Sequence, residues 1–194
     1  MPTRKTCLVL LLSLLAPGCC GKVNDEDFKR VRANLATLEQ KAPAPHKERL
    51  KKENADLDAR FTKLPSGGPR QKAVEALERE ASALYDKEKP VVGAALYQAI
   101  EPQVKAQGLE GEWWDSTSAS FTLDPKGNAS FVMFSAKKQA GPPRADGTLS
   151  RVDGNKLCFF SGAAEDECFD YQAPSGPAGA RTMKLKDWTL TRKK

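Results

Sequence analysis

At Leu109 the hydrophobic period of the chain changes, and that change restricts the fold more than any other feature of the sequence. Before it, apolar residues recur at spacings of three and four; after it, they alternate. A stripe with a period near 3.6 suits a helix, and a period of two suits a strand, so the two halves cannot share one architecture. The spacing predicts an α+β protein, with an N-terminal helical hairpin or bundle followed by a small antiparallel β-meander that curls into a barrel or half-barrel.

In the helical module, residues 19–108, proline marks the boundaries. The first helix has Asn24 or Asp25 as its cap and the acids Glu26 and Asp27 in its first turn, with Phe28, Val31, Leu35 and Leu38 as its apolar seam. It stops at KAPAPH, where Pro43 and Pro45 break it. A second runs from about His46 to Leu64 with Leu50, Asn54, Leu57, Phe61 and Leu64 on one side. A third follows PSGGPR and runs to Lys89 with Val74, Leu77, Ala81 and Leu84. The segment VVGAALYQAIEPQVKAQG is read as a fourth, kinked or divided by Pro102. With two apolar positions per seven, these seams are coiled-coil-like and must pack on one another or on a partner. An Asn in such a seam, here Asn54, either sets register or sits on a half-exposed edge, and the edge is the commoner case.

The β module, residues 109–194, reads as seven strands: LEGEWWDS, SASFTLD, NASFVMFSA, GTLSRV, KLCFFS, ECFDYQ and RTMKLKDWTLT. DPKG, KKQAGPPRAD, DGN and APSGPAGA separate them. In the last run Met183 and Leu185 share one parity and Trp188 and Leu190 the other, which predicts a bulge near Asp187. Short consecutive connections imply a meander, and about seven strands suffice for a small barrel.

The N-terminus carries an address. Arg4 and Lys5 precede an uncharged stretch from Cys7 to Pro17, the n-region and h-region of a secretory signal over residues 1–18. A membrane-spanning helix needs roughly 20 apolar residues, so this stretch is too short to serve as one. Ala16-Pro17-Gly18 meets the small-residue rule for ordinary signal cleavage, which would leave a plain secreted protein. The residues Leu15-Ala16-Pro17-Gly18-Cys19 also resemble the lipobox of bacterial lipoproteins, departing from it where Ala16 stands in place of Leu and at Pro17. That resemblance implies lipidation of Cys19, with a membrane anchored through its N-terminal lipid as partner. One acyl chain holds a protein only marginally, whereas two or three hold it stably. Because Cys20 and not Asp follows Cys19, the resemblance implies the outer membrane of the bacterial envelope. Cys20 has no evident task.

An oxidising envelope favours disulfides. Folding KLCFF and ECFDY antiparallel about Ala163 sets Cys158 opposite Cys168 at bridging distance. Two cysteines and the distant His46 cannot supply four ligands, so no metal site is expected. The net charge of +6 loses Arg4 and Lys5 with the signal, and residues 109–194 hold 12 basic against 11 acidic residues. The one basic cluster, Arg192-Lys193-Lys194, lacks the interleaved aromatics that nucleic-acid binding wants, so no nucleic-acid partner is expected.

No catalytic set and no cofactor are expected. His46, the single histidine, follows a proline-rich turn far from any serine or cysteine pattern, and there is neither a phosphate-cradling Gly-rich loop nor an H-E-x-x-H helix. The run Glu165-Asp166-Glu167 reads as a solvated hairpin tip. Aromatic residues remain, since small barrels bind ligands at aromatic-walled mouths. Trp113 and Trp114 are neighbours on one strand and face opposite sides. Gly111-Glu112-Trp113 is similar to the G-x-W motif of lipocalins, whose Trp plugs the barrel base; Asp170-Tyr171 and Arg192 follow in the order of that family's other motifs. The resemblance covers about 85 residues. Trp113, Trp114 and Tyr171 are the candidate ligand-binding residues, Trp113 and Tyr171 through the resemblance and Trp114 as the neighbouring aromatic.

The leading expectation is therefore a non-enzymatic envelope lipoprotein whose β module binds a small apolar ligand or an envelope protein. The alternatives are a lysozyme or protease inhibitor that presents the loops KKQAGPPRAD or SGAAEDE to its target, and an architectural protein whose helices self-associate. Replacing Cys19 by Ala should move the protein from the membrane fraction to the soluble fraction with unchanged circular dichroism; a variant still pelleting with membranes removes the anchor from position 19.

Overall fold

The computed structural model of this 194-residue chain describes residues 24–193 apart from 116–117, 135–139, 163–164 and 179. The signal segment and the expected anchor, Cys19, lie outside the described residues. Three helices precede a closed antiparallel barrel, so the α+β class holds and the β module is a full barrel.

Helix α1, Asp25–Lys41, starts at a reciprocal cap. The Asn24 side chain accepts the amides of Glu26 at 2.8 Å and Asp27 at 3.2 Å, while Asp27 Oδ2 accepts the Asn24 amide. Phe28, Leu35 and Leu38 are buried on one face. Helix α2, His46–Thr62, buries Leu50, Asn54 and Leu57, and Phe61 stacks on Phe28 with ring centres 4.5 Å apart. Asn54 is thus a seam residue and not an edge one. Its side-chain NH2 donates to the Leu35 carbonyl and to Glu39 Oε2, which pairs the donor half of the group inside the contact.

The expected third and fourth helices are one, α3, Gly68–Gln107, 40 residues long with Pro90 and Pro102 inside it. A proline interrupts a helix by leaving the carbonyl four residues back without its donor. Here both prolines are exposed, and so are Asp86 and Gln98, whose carbonyls are the ones affected. Water can take the freed carbonyls while the opposite face, with Val92, Gly93, Tyr97 and Val104, stays buried. No helix among the described residues is long and apolar enough to cross a membrane.

The barrel has eight strands, one more than expected: β1 Gly111–Trp114, β2 Ala119–Leu123, β3 Asn128–Phe134, β4 Ala140–Asp153, β5 Lys156–Phe160, β6 Glu167–Ser175, β7 Thr182–Leu185 and β8 Trp188–Arg192. Each pairs with its chain neighbours, and β1 closes the ring on β8 through Trp113 opposite Arg192 and Trp114 opposite Thr191. Two expectations were corrected. The parity change near Asp187 is a hairpin turn, with Lys186 at φ 54° and Leu185 paired to Trp188, and not a bulge. The loop KKQAGPPRAD is partly strand, since β4 begins at Ala140 and accommodates its prolines through register shifts against β3.

Helices and barrel share a joint. Phe160 points out of the barrel and is buried against the helical core, with the Lys41 ammonium 5.4 Å from its ring centre. Gly93 of α3 lies against β4 so closely that a Cβ would stand 2.6 Å from Thr148 Oγ1. Tyr85 donates to the Gly162 carbonyl at 3.0 Å. Inside the helical module, Arg49 grips the fully buried Glu88 through both oxygens, one at 2.7 Å, so that carboxylate is not left as a bare buried charge. Phe160→Ala should cost about 3–5 kcal/mol and split urea unfolding into separate helical and barrel transitions, seen by comparing far-ultraviolet circular dichroism with tryptophan fluorescence.

Candidate binding site at the aromatic end of the barrel

The barrel has two unlike ends. At the end where β1 begins, the last turns of α3 close it. Val104 and Leu109 are fully buried there beside Trp113, whose indole Nε1 donates to the Leu109 carbonyl at 2.8 Å. The Arg192 guanidinium lies 5.8 Å from the Trp113 ring centre and donates to the Glu110 carbonyl at 3.0 Å. Tyr171 reaches Gln107 Oε1 at 2.6 Å, and Arg181 donates to the Gln107 and Pro174 carbonyls. Tyr97 lies across the β2–β3 turn, donating to Glu110 Oε1 at 3.1 Å, at a point where only a glycine fits: a Cβ on Gly127, φ 87°, would stand 2.2 Å from its ring.

Burial raises the phenol of Tyr97, and the Glu110 carboxylate it donates to adds to that effect. Burial also raises Tyr171, with the bond to Gln107 acting in the opposite sense. Tyr85, at the joint, is raised by burial and by Asp86. All three phenols are thus held neutral where they form contacts between helix and barrel.

The other end is bounded by the connections after β1, β3, β5 and β7. Its lumen is aromatic: Phe131 meets Phe169 at 5.2 Å and Trp188 at 5.7 Å, Phe159 meets Phe169 at 5.7 Å, and Phe121 lies beneath at 6.1 Å from Phe159. All four contacts are edge-on, the favourable arrangement for such rings. Phe121, Phe131 and Phe159 are buried, whereas Met133, Phe169 and Trp188 are half-buried and form the rim of this cluster. The Lys186 ammonium stands 5.9 Å from the Trp188 ring centre. Half-exposed apolar side chains around a rigid aromatic floor can hold an apolar molecule by burying its surface, and Met adds an adaptable wall.

The sequence-derived candidates fall elsewhere. Trp113 and Tyr171 face the lumen at the closed base, each engaged by α3 or its C-terminal continuation. Trp114 points outward, 46 % exposed, with Lys193 5.8 Å from its ring centre. The structure therefore brings Trp113 and Tyr171 to one end and separates Trp114 from both. The residues that the sequence does not single out as site residues are Met133, Phe169 and Trp188. Their signal was positional: Met133 is the last described inward residue of β3, Trp188 is the first of β8, and Phe169 is the first apolar inward residue of β6 after Glu167, all at one rim once the register is known.

Cys158 and Cys168 are bridged, on the outer face of β5 and β6. The acidic run is not wholly solvated, because Asp166 accepts Lys41 Nζ at 2.5 Å and the Ser150 hydroxyl at 3.2 Å. His46 begins α2 in the helical module. Among the described residues no group of three His, Cys, Asp or Glu could hold a metal ion. Compared with known proteins, the chain matches no family model, no curated protein and no solved structure.

The raised phenols give the base a pH limit. A neutral phenol favoured in the folded state contributes fully below the unfolded value near 10 and loses that contribution as pH rises beyond it. Urea unfolding should show stability falling above about pH 10, with a shallower fall in Tyr97→Phe; an identical slope in the variant would remove Tyr97 from the account.

Proposed function

We propose that this chain is a non-enzymatic lipoprotein of the bacterial envelope, tethered through Cys19, whose barrel binds a small apolar ligand at its open mouth. The observation that carries the binding reading is the asymmetry of the lumen. Trp113 and the end of α3 close one end, while Met133, Phe169 and Trp188 are half-exposed at the other. Eight-stranded barrels are just wide enough either to be filled by side chains or to admit one small ligand. Partly exposed apolar side chains, Met133, Phe169 and Trp188, around a buried aromatic floor favour the second use. The order of strands and the Trp113–Arg192 stack support the similarity to lipocalins. The outer membrane remains the proposed address, from the lipobox resemblance and the residue after Cys19.

A second reading, an inhibitor of an envelope hydrolase, draws on one observation. The turn between β5 and β6 is braced by the disulfide at its root and by Asp166 bonded to Lys41 and Ser150. A pre-organised loop of this kind lowers the entropic cost of docking into a cleft.

The neutral dye N-phenyl-1-naphthylamine tests the mouth. The full mature chain should enhance its fluorescence saturably. Trp188→Ala and Met133→Lys should weaken the affinity by about tenfold, or about 1.4 kcal/mol, while Thr122→Ala on the outer wall leaves it unchanged. Equal affinity in all four proteins would place the dye elsewhere and end the mouth reading.

A further inference from the structure

The bridge between β5 and β6 is asymmetric. Cys158 is fully buried, whereas Cys168 is exposed on the barrel wall. The guanidinium of Arg151, on β4, reaches both sulfurs: Nη2 is 3.4 Å from Cys158 Sγ and 3.8 Å from Cys168 Sγ. Arg151 and Cys168 line a concavity of about 360 Å³ with Lys41, Ser150, Glu165 and Asp166. Asp166, the acid there with bonded partners, is already bound to Lys41 and Ser150. A structural bridge needs no cation aimed at its sulfurs. A sulfur that must leave as a thiolate is helped by one, since a nearby cation lowers thiol pKa and a better leaving group departs faster.

We propose that Cys158–Cys168 is a site of thiol–disulfide exchange with an external dithiol reductant, and that opening it loosens the aromatic mouth. The mouth's role in ligand binding rests on the reading given above; the exchange chemistry does not. The reductant's thiolate attacks the exposed Cys168 Sγ and forms a new S–S bond to it. The Cys158–Cys168 bond breaks, and its electron pair leaves on Cys158 Sγ, beside Arg151. The reductant's second thiol, as its thiolate, then attacks its own sulfur in the mixed disulfide and releases Cys168 as a thiolate. The dithiol is thereby oxidised to a disulfide, two electrons pass to the bridge, and the two protons shed by the dithiol are available to the two cysteines.

The coupling to the mouth follows from strand alternation. Cys158 and Cys168 face outward as a cross-strand pair. Their next residues, Phe159 and Phe169, face inward, with ring centres 5.7 Å apart. The bridge therefore clamps the two strands whose inner faces supply the floor and one side of the rim. Without it, β5 and β6 are held by their backbone ladder and by the ring contact of Phe159 with Phe169.

The test uses the full mature chain, oxidised, with dithiothreitol as the reductant, acid quenching, alkylation and mass spectrometry. Arg151→Met should slow reduction by about threefold to tenfold, with Arg151→Lys between the two. Salt near about 1 M should narrow the difference, because an exposed cation is screened there. When a monothiol replaces dithiothreitol, the trapped adduct should sit on Cys168. Equal or faster reduction of Arg151→Met, or an adduct on Cys158, overturns the exchange chemistry. Amide hydrogen exchange along residues 157–160 and 167–170 should accelerate on reduction, and in a Cys158→Ser, Cys168→Ser double variant; unchanged protection overturns the loosening. Failure of the oxidised wild type to bind the naphthylamine dye bears on the mouth reading alone, because neither measurement here uses a ligand.

Discussion

The base of the barrel depends on one hydrogen bond and the packing around it: the Trp113 indole donating to the Leu109 carbonyl, directly after the end of α3. Leu109 follows Gly108, which ends the helix in a left-handed conformation at φ 65°. The chain then has two residues in which to turn into β1, and the indole bond fixes that turn from inside the lumen. Arg192 covers the same ring from the last strand, so the first and last strands meet over one aromatic side chain. The indole N–H would otherwise be a buried donor without a partner, a costly state, so the bond and the closed end form together.

Charge is placed with the same economy. Glu88 is fully buried among the helices but held by both terminal nitrogens of the partly exposed Arg49 guanidinium. Asp166, on the β5–β6 turn, reaches across to Lys41 at the end of α1. The exposed pairs, such as Arg60 with Glu80 and Lys105 with Glu101, contribute little individually. What fastens the helices to the barrel is apolar contact, chiefly Phe160, Gly93 and Tyr97, with the charged groups setting register.

Much of this was legible from the residues. The period change at Leu109, the Asn24 cap, the seam of α1 and the pairing of Cys158 with Cys168 follow from local pattern, where sequence distance and spatial distance agree. Where reading failed, the deciding contact was remote. Pro102 reads as a breaker because the rule concerns a helix alone, whereas the buried face of α3 is anchored along the barrel. Asn54 reads as an edge residue because its partners, Leu35 and Glu39, lie on another helix. The mouth was the least legible. Met133, Phe169 and Trp188 come from three separate strands, and nothing in their own neighbourhoods says that those strand ends share a rim.

Helix α3 belongs to both modules: Val74, Leu77 and Ala81 are in the core of the helices, and Tyr97 and Val104 are in the core of the barrel. A rod of 40 residues spans about 60 Å at the helical rise, and, with a backbone bond missing at Pro90, bending in its middle is resisted by the packing of Val92 and Gly93 on its buried face. It therefore acts as a lever whose short arm is the stopper of a vessel. A force that tilts α1 and α2 would be felt at the floor of the lumen, and severing the chain at Gly108 would leave that vessel without a bottom.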